Sequence, residues 1–293
     1  MVELFTMWRS TRMVVLVAVT AASYVAVLVP FKIAVILPGL TEVRPGAAIP
    51  ILLSFLFGPA AAWGAAIGNT IGDMLGGMFG PGSIVGFAGN FLYGYVPYVF
   101  WRALRGRARP GVRGARDWVL VILISLISSF TIAGVIGWGA DALGLAPYAA
   151  IGNIILVNNS LASLLLAVPL LAALYPRVEK AGLLWHEIMD NEPPVEISNT
   201  AVTAASGRGV MMARLTKLRA DSAGMRQLAR RALGVLLLTA GAVAAVCVGN
   251  ALSIGLMGVS FGVAGFAGQA GTATVAWGLL PFIALIFVGA LLL

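Results

Sequence analysis

The sequence is poor in charge and in the residues that most often carry catalysis or bind metals. Only 10% of its 293 residues are charged, and it has a single histidine and a single cysteine. The lone cysteine, Cys247, excludes an intrachain disulfide, and one histidine, His186, is too few for a His/Cys metal cluster. A nucleotide-binding G-x-x-x-x-G-K-[ST] signature is also missing. We therefore expect no catalytic residues, no metal and no cofactor.

Apolar residues dominate what is present. They make up 60% of the chain, its mean hydropathy is +0.98 and 36 residues are glycine, whereas soluble domains are about 45–50% apolar. This composition excludes a soluble globule and predicts an integral membrane protein. The apolar runs are continuous and do not alternate, which predicts an all-α fold, and the glycines fit it because small residues let membrane helices approach closely. The predicted helices are 13–37, 46–57, 59–78, 82–101, 118–140, 147–174, 232–254 and 273–293. The second is short for a crossing of about 20 residues, so it is either tilted or forms a re-entrant hairpin with the third.

Lys and Arg residues are unevenly distributed along the chain. Of the 19, two precede the first predicted helix, six lie in 102–116 and nine in 176–231. An eight-crossing arrangement puts all of these on one face, and the positive-inside rule makes that face cytoplasmic. We therefore predict a multi-pass protein of the cell membrane with both termini in the cytoplasm. The expected partner of these cations is anionic lipid and not nucleic acid, and 208–231 is expected to form a helix on the inner leaflet.

Polar residues inside the membrane segments fall mostly in the outward half of this topology. Asn69 and Asp73 are four residues apart and share one helix face, and an ionisable group within a membrane is costly enough to indicate function. The predicted substrate-binding residues are Glu42, Arg44, Asn69, Asp73, Asn90, Tyr93, Trp138, Asn153 and Asn158. We predict that they line a small-molecule pocket that opens outward. The alternative is that the aromatic residues anchor the interface and the asparagines bond helices together.

Small residues at intervals of four mark three helix faces. Gly64, Gly68, Gly72 and Gly76 lie on the third predicted helix, and Gly82, Gly86, Asn90 and Gly94 lie along one line of the fourth. We expect these two helices to pack tightly, with Asn69, Asp73 and Asn90 near their junction. Ala18, Ala22 and Ala26 form a similar stripe on the first helix, which serves either internal packing or the approach of another protein.

Four short stretches resemble the S components of energy-coupling factor (ECF) transporters. These are EVRPGAAIP at 42–50, LFGP at 56–59, GNTIGD at 68–73 and GYVP at 94–97. The resemblance covers about 12–175 and implies a six-helix bundle that binds a vitamin or other micronutrient from outside, while a T component and two ATPases drive uptake. It also implies that Ala18, Ala22 and Ala26 dock the T component, because the family has an alanine pattern of this spacing on its first helix.

The chain is longer than the resemblance. We divide it into a six-helix substrate-binding membrane domain at 1–175, a cytoplasmic basic and amphipathic segment at 176–231, and an additional two-helix membrane segment at 232–293. The leading interpretation is the substrate-capturing subunit of an ECF-type importer, not an enzyme. The alternatives are a stand-alone secondary transporter, a non-transporting scaffold, and an intramembrane aspartyl protease using Asp73 and Asp141, which both fall near the outer edge.

Overall fold

The protein is almost entirely helical. In the computed structural model the described residues are 2–33, 35–37, 41–42, 44–106, 114–190, 209–260 and 273–293, with side chains described except at 32–42, 209–223, 255–260 and 273. The helices are α1 (Glu3–Thr6), α2 (Thr11–Leu28), α3 (Ala48–Phe57), α4 (Pro59–Leu75), α5 (Pro81–Arg105), α6 (Ala115–Ala142), α7 (Tyr148–Ala162), α8 (Val168–Lys180), α9 (Trp185–Asp190), α10 (Gly209–Ser260) and α11 (Ala273–Leu292). The predicted all-α membrane fold is confirmed.

Short irregular elements connect these helices. Strands β1 (Val35–Leu37) and β2 (Thr41–Glu42) pair antiparallel between α2 and α3. A π-helical turn, Ser163–Ala167, joins α7 to α8 without a break in the rod. The first predicted helix, 13–37, was too long at its far end, because α2 ends at Leu28. Pro30 explains the end, since proline lacks the N–H that the next hydrogen bond of an α-helix requires, and the chain continues as a 3-10 helix, Val29–Ile33.

Five helices among the described residues are long and apolar enough to cross a membrane. They are Thr11–Phe31, Ala115–Ala142, Tyr148–Asp190, Gly224–Ile254 and Thr274–Leu292. Helix α3 has 10 residues, or roughly 15 Å at 1.5 Å per residue, which is about half the hydrocarbon thickness. The chain then reverses at Gly58, whose φ of 52° favours glycine, and returns as α4. The eight-crossing topology stays a prediction.

Close packing of α4 against two neighbours builds the centre of the bundle. A Cβ on Gly64 would lie 2.4 Å from the Thr20 Cβ, so the glycine stripe of α4 faces α2. On its other side α4 meets α5, where a Cβ on Gly94 would lie 2.8 Å from the Ala61 carbonyl oxygen. The expected tight contact between α4 and α5 is present, but it uses the glycines of α5, while those of α4 serve the contact with α2.

Helices α10 and α11 pack on each other and on the side of the bundle. A Cβ on Gly289 would lie 2.5 Å from the Leu238 backbone nitrogen, so their backbones nearly touch. Gly249 of α10 packs against the Tyr148 ring of α7. Helix α10 runs unbroken from Gly209 to Ser260, so the helix predicted at 208–231 and the seventh predicted helix are one rod. The predicted domain boundaries stay predictions, as does the position of 208–231 on the surface of the inner leaflet.

Arg44 lies apart from several other described basic residues, which gather at one end of the bundle. Glu3, Arg102, Trp185 and Arg231, from four separate elements, surround one cavity there. Arg105 pairs with Asp117 at 2.5 Å across the start of α6. We call this end the basic end, and the other the opposite end. Which side of the membrane the basic end faces stays a prediction.

Candidate functional site

A cavity of about 330 Å³ lies at the opposite end of the bundle. It opens where α4 ends and α5 begins, and where α6 ends and α7 begins. We call it the polar cavity. Its lining includes Arg44, Asn69, Asp73, Ser83 and Asn90, together with residues 77–82 and the apolar residues Val85, Ile136, Ala140, Leu145, Ile151 and Ile155. This combination of an apolar wall and a few converging polar groups is typical of a small-molecule site.

A buried carboxylate is the centre of the polar side. Asp73 is only 7% exposed, and two side chains donate to its Oδ2 atom: Asn69 Nδ2 at 3.1 Å and Ser83 Oγ at 3.0 Å. Asn69 lies one turn earlier on α4, as its spacing predicts, while Ser83 lies in the first turn of α5. The two donors stabilise the carboxylate within the bundle, and its position on the lining leaves it accessible to a ligand.

Two further groups complete the polar side. The Arg44 Nη1 atom donates to Asn69 Oδ1 at 3.4 Å, which places a guanidinium beside the Asn69–Asp73 pair. Asn90 accepts a hydrogen bond from the Tyr24 hydroxyl at 3.0 Å, and its own Nδ2 donates to the Gly86 carbonyl at 2.8 Å. Helices α2, α4 and α5 therefore fix an array of one carboxylate, two carboxamides and one guanidinium, which can both donate and accept hydrogen bonds.

A small space adjoins the polar cavity. It is lined by Tyr24, Arg44, Asn90, Asn158 and Asn159, with Ile132, Ile136 and Ile155. Four of these residues, Arg44, Asn90, Ile136 and Ile155, also line the larger cavity. Asn158 therefore sits beside the polar cavity, on α7, and not at its centre.

The structure brings together four of the predicted binding residues. Arg44, Asn69, Asp73 and Asn90 line the polar cavity. Among the other predicted residues with described side chains, Asn158 lies beside this cavity, and Tyr93, Trp138 and Asn153 are not on its lining. Tyr93 is buried between helices, with its hydroxyl 2.7 Å from Ser163 Oγ. The side chain of Glu42 lies outside the described residues.

Trp138 and Asn153 contact the C-terminal helices. The Trp138 Nε1 atom donates to the Ala276 carbonyl at 2.9 Å. Asn153 and Asn250 exchange two hydrogen bonds, at 2.7 and 2.9 Å. Asn153 therefore makes the interhelical bonds that are the alternative interpretation of the asparagines, and Trp138 likewise bonds to a neighbouring helix.

Sequence reasoning missed two cavity groups. Tyr24 lies on the buried face of α2, among Leu16, Thr20 and Leu28, and this spacing of three to four residues was a signal that it points inward. Ser83 follows Gly80-Pro81-Gly82. Proline favours the first position of a helix, so Pro81 predicts that Ser83 lies in the first turn of α5, at the same end as the cavity.

The second predicted carboxylate has a different environment. Asp141 is 1% exposed, and its Oδ2 atom accepts the Tyr148 backbone N–H at 2.8 Å. This contact satisfies one of the free N–H groups at the start of α7. Asp141 thus has a structural role in the turn between α6 and α7. Among the described residues, no group of three or more His, Cys, Asp or Glu side chains is placed to hold a metal ion.

The alanine stripe of α2 faces outward. Ala18, Ala22 and Ala26 are exposed, while Thr20 and Tyr24 on the other face are buried. The C-terminal helices pack on α6 and α7 and do not cover it. The surface is therefore smooth and accessible along about two turns of helix.

The chain matches a known protein family. The family model for the QueT transporter matches residues 14–176, which is more than half of the chain and includes α2 through most of α8. Comparison with curated proteins and with solved structures gave no match. The predicted resemblance to ECF S components is confirmed by the family match. The chain belongs to the QueT transporter family, a family of micronutrient transporter S components.

Proposed function

We propose that this protein is the substrate-binding subunit of an ECF-type importer and that it captures a queuosine precursor in the polar cavity. The observation that carries the proposal is the buried Asp73 carboxylate, held by Asn69 and Ser83 on the lining of that cavity. Family membership supports transport of this substrate class, and the array of polar groups supports the place where it binds.

The chemistry of the cavity fits a guanine-like heterocycle. Queuosine is a modified guanine nucleoside, so its precursors present neighbouring N–H donors beside a carbonyl acceptor. A carboxylate offers about four acceptor sites, and the role we assign to Asp73 is to accept an N–H of the ligand in addition to its bonds from Asn69 and Ser83. Arg44 and Asn90 provide donors for the carbonyl. Ile136 and Ile155 provide apolar contacts for the faces of the ring.

Ligand selectivity of the purified protein tests the substrate. We expect saturable binding of a queuosine-precursor base, displacement by guanine, and no displacement by a vitamin that lacks the guanine-like edge. Binding of an unrelated vitamin in preference to any guanine-like base would overturn the substrate assignment and leave the cavity as the site. If the wild-type protein binds no micronutrient of any class, the transport proposal itself is overturned.

Energy for uptake comes, in this proposal, from a T component and two ATPases. The chain has no P-loop of its own, and the exposed alanine stripe of α2 offers a surface on which another backbone can approach closely. We also propose that the protein resides in the cell membrane with its basic end in the cytoplasm, following the distribution of Lys and Arg. The polar cavity then faces outward.

Reconstitution separates this proposal from the secondary transporter. In vesicles containing this chain alone, we expect substrate binding without accumulation, and accumulation only when the T component, ATPases and ATP are present. Accumulation by this chain alone under an ion gradient would contradict the ECF proposal and support secondary transport.

A further inference from the structure

A second cleft, unrelated to the polar cavity, lies at the basic end. It has a volume of about 280 Å³ and is lined by Val2, Glu3, Arg102, Gln227, Arg230, Arg231, Leu292 and Leu293. These residues come from the N-terminal segment, the end of α5, the first part of α10 and the end of α11. We call it the arginine cleft, after Arg102, Arg230 and Arg231.

The cleft carries more positive charge than its own acid neutralises. Glu3 forms an ion pair with Arg102, whose Nη2 atom also donates to the Leu293 main-chain oxygen at 3.2 Å. Arg230 donates to the Leu291 main-chain oxygen at 3.2 Å. Arg231 is half-buried and has no hydrogen bond or ion pair with another residue of the described part of the chain. Arg230 and Arg231 therefore have no ion pair with an acidic side chain of the described residues.

The adjoining space adds only one further acid. The neighbouring cavity of about 420 Å³ shares Glu3, Arg102 and Arg231 with the cleft. It adds Asp190, which is exposed on α9, and the imidazole of His186. Three arginine side chains thus face two acidic side chains on the combined lining.

The depth of the cleft matches the headgroup layer of a bilayer. The apolar part of α10 runs over Gly224–Ile254 and that of α11 over Thr274–Leu292. Arg230 and Arg231 lie in the first two turns of the former, and Leu292 is the last residue of the latter. Charged and apolar walls therefore meet where two spans end, which is where the phosphates of lipids and the upper parts of their acyl chains lie.

We propose that the arginine cleft binds the phosphate headgroup of an anionic phospholipid. Guanidinium groups bind phosphate with paired N–H donors, and basic pockets between membrane helices are typical sites for anionic headgroups. The apolar residues Val2, Leu292 and Leu293 on the same lining favour a lipid over a free phosphate, since they offer contacts to an acyl chain. The lipid then links the N-terminal segment, α5 and the C-terminal helices.

Native mass spectrometry of the full chain, extracted in mild detergent, tests the proposal. We expect wild-type protein to retain one phosphatidylglycerol molecule, and the R230Q/R231Q variant to retain at least fivefold less. The matched control is Arg177→Gln, which removes an exposed arginine on α8 at the same end, bonded to the Ala173 carbonyl. This control is expected to retain lipid at the wild-type level. Equal retention by R230Q/R231Q and wild type would overturn the proposal.

A second measurement distinguishes a lipid from a soluble anion and does not depend on the double variant folding well. Delipidated wild-type protein is heated in detergent with phosphatidylglycerol, phosphatidylcholine or inorganic phosphate. We expect the unfolding midpoint to rise with phosphatidylglycerol alone, and the Arg231→Lys variant, which keeps the charge, to retain part of the rise. Equal protection by phosphatidylcholine, or by millimolar phosphate, would assign the effect to the bilayer or to a soluble anion and overturn the lipid site.

Discussion

At the scale of single residues, the function depends most on Asp73. Its carboxylate lies on the cavity lining and is already held by Asn69 and Ser83, so Asp73→Asn keeps the shape and removes the charge and one acceptor. We expect substrate binding to weaken at least 30-fold, since removing one partner of a buried charged hydrogen bond costs about 2–5 kcal/mol. Titration of purified protein with labelled precursor measures the change.

The control for this substitution is Asp117→Asn. Asp117 is also a buried aspartate, but it pairs with Arg105 at the basic end, away from the polar cavity. We expect its loss to leave the dissociation constant within twofold of the wild-type value. A similar weakening in both variants would mean that any lost carboxylate disturbs the bundle, and Asp73 would lose its assigned role.

The substitution Gly94→Ala tests the packing of α5 on α4, which holds Asn90 beside Asn69 and Asp73. A Cβ at Gly94 would lie 2.8 Å from the Ala61 carbonyl oxygen and 3.0 Å from the Ala62 Cα, and backbone atoms cannot rotate away. We expect Gly94→Ala to destabilise the protein by about 1–3 kcal/mol, seen as a lower midpoint in thermal unfolding. Gly114→Ala adds a Cβ with nothing within 4 Å and should lower the midpoint much less, since it loses only the preference for glycine over alanine at the N-cap of α6.

The sequence could predict part of the site at this scale. The four-residue spacing of Asn69 and Asp73 predicts a shared face, and the two side chains are indeed bonded. Polarity within a membrane helix, however, does not tell a cavity residue from an interhelical bond. Asn153 was therefore assigned to the pocket, although its partner is Asn250, 97 residues away. No local pattern encodes so distant a contact.

At the scale of helices, position was predictable but neighbours were not. Apolar runs located the helices, and Pro30 and Gly58 explain where α2 ends and where α3 turns into α4. A glycine stripe shows that one face of α4 allows close approach, yet it does not show which helix approaches. The Gly64 face meets α2, not α5, because the polar face with Asn69 and Asp73 turns toward α5 and the cavity.

The docking of α10 depends on its polar contact with α7. Asn250→Leu removes both hydrogen bonds to Asn153, and interhelical hydrogen bonds in membranes contribute about 0.6–2 kcal/mol. We therefore expect Asn250→Leu to lower the thermal midpoint by the shift that a loss of about 0.6–2 kcal/mol in stability produces. Thr239→Val is the matched change on the same helix: the buried Thr239 hydroxyl has no partner within the described structure, so its removal should be neutral. Equal midpoints for Asn250→Leu and wild type would contradict the assigned contact.

At the scale of the whole molecule, the residues beyond the family match attach to one side and leave another side open. The C-terminal helices bond to Trp138 and Asn153 on α6 and α7, and Tyr95 of α5 donates to the Ala290 carbonyl. The alanine stripe of α2 remains exposed. The longer chain is therefore compatible with a partner that approaches through α2.

Ala22→Trp tests whether that open side is where the T component docks. The middle of the stripe would carry a bulky ring that keeps another backbone away, while Asp73 and the other cavity residues lie across the helix and stay unchanged. We expect co-purification of the T component and ATPases to fall at least tenfold, with substrate affinity within twofold of wild type. Leu161→Trp adds the same ring at an exposed apolar position of α7 and should leave assembly intact. Assembly of Ala22→Trp at the wild-type yield would make the alanine face a lipid-facing surface, and the T component would have to dock elsewhere on the bundle.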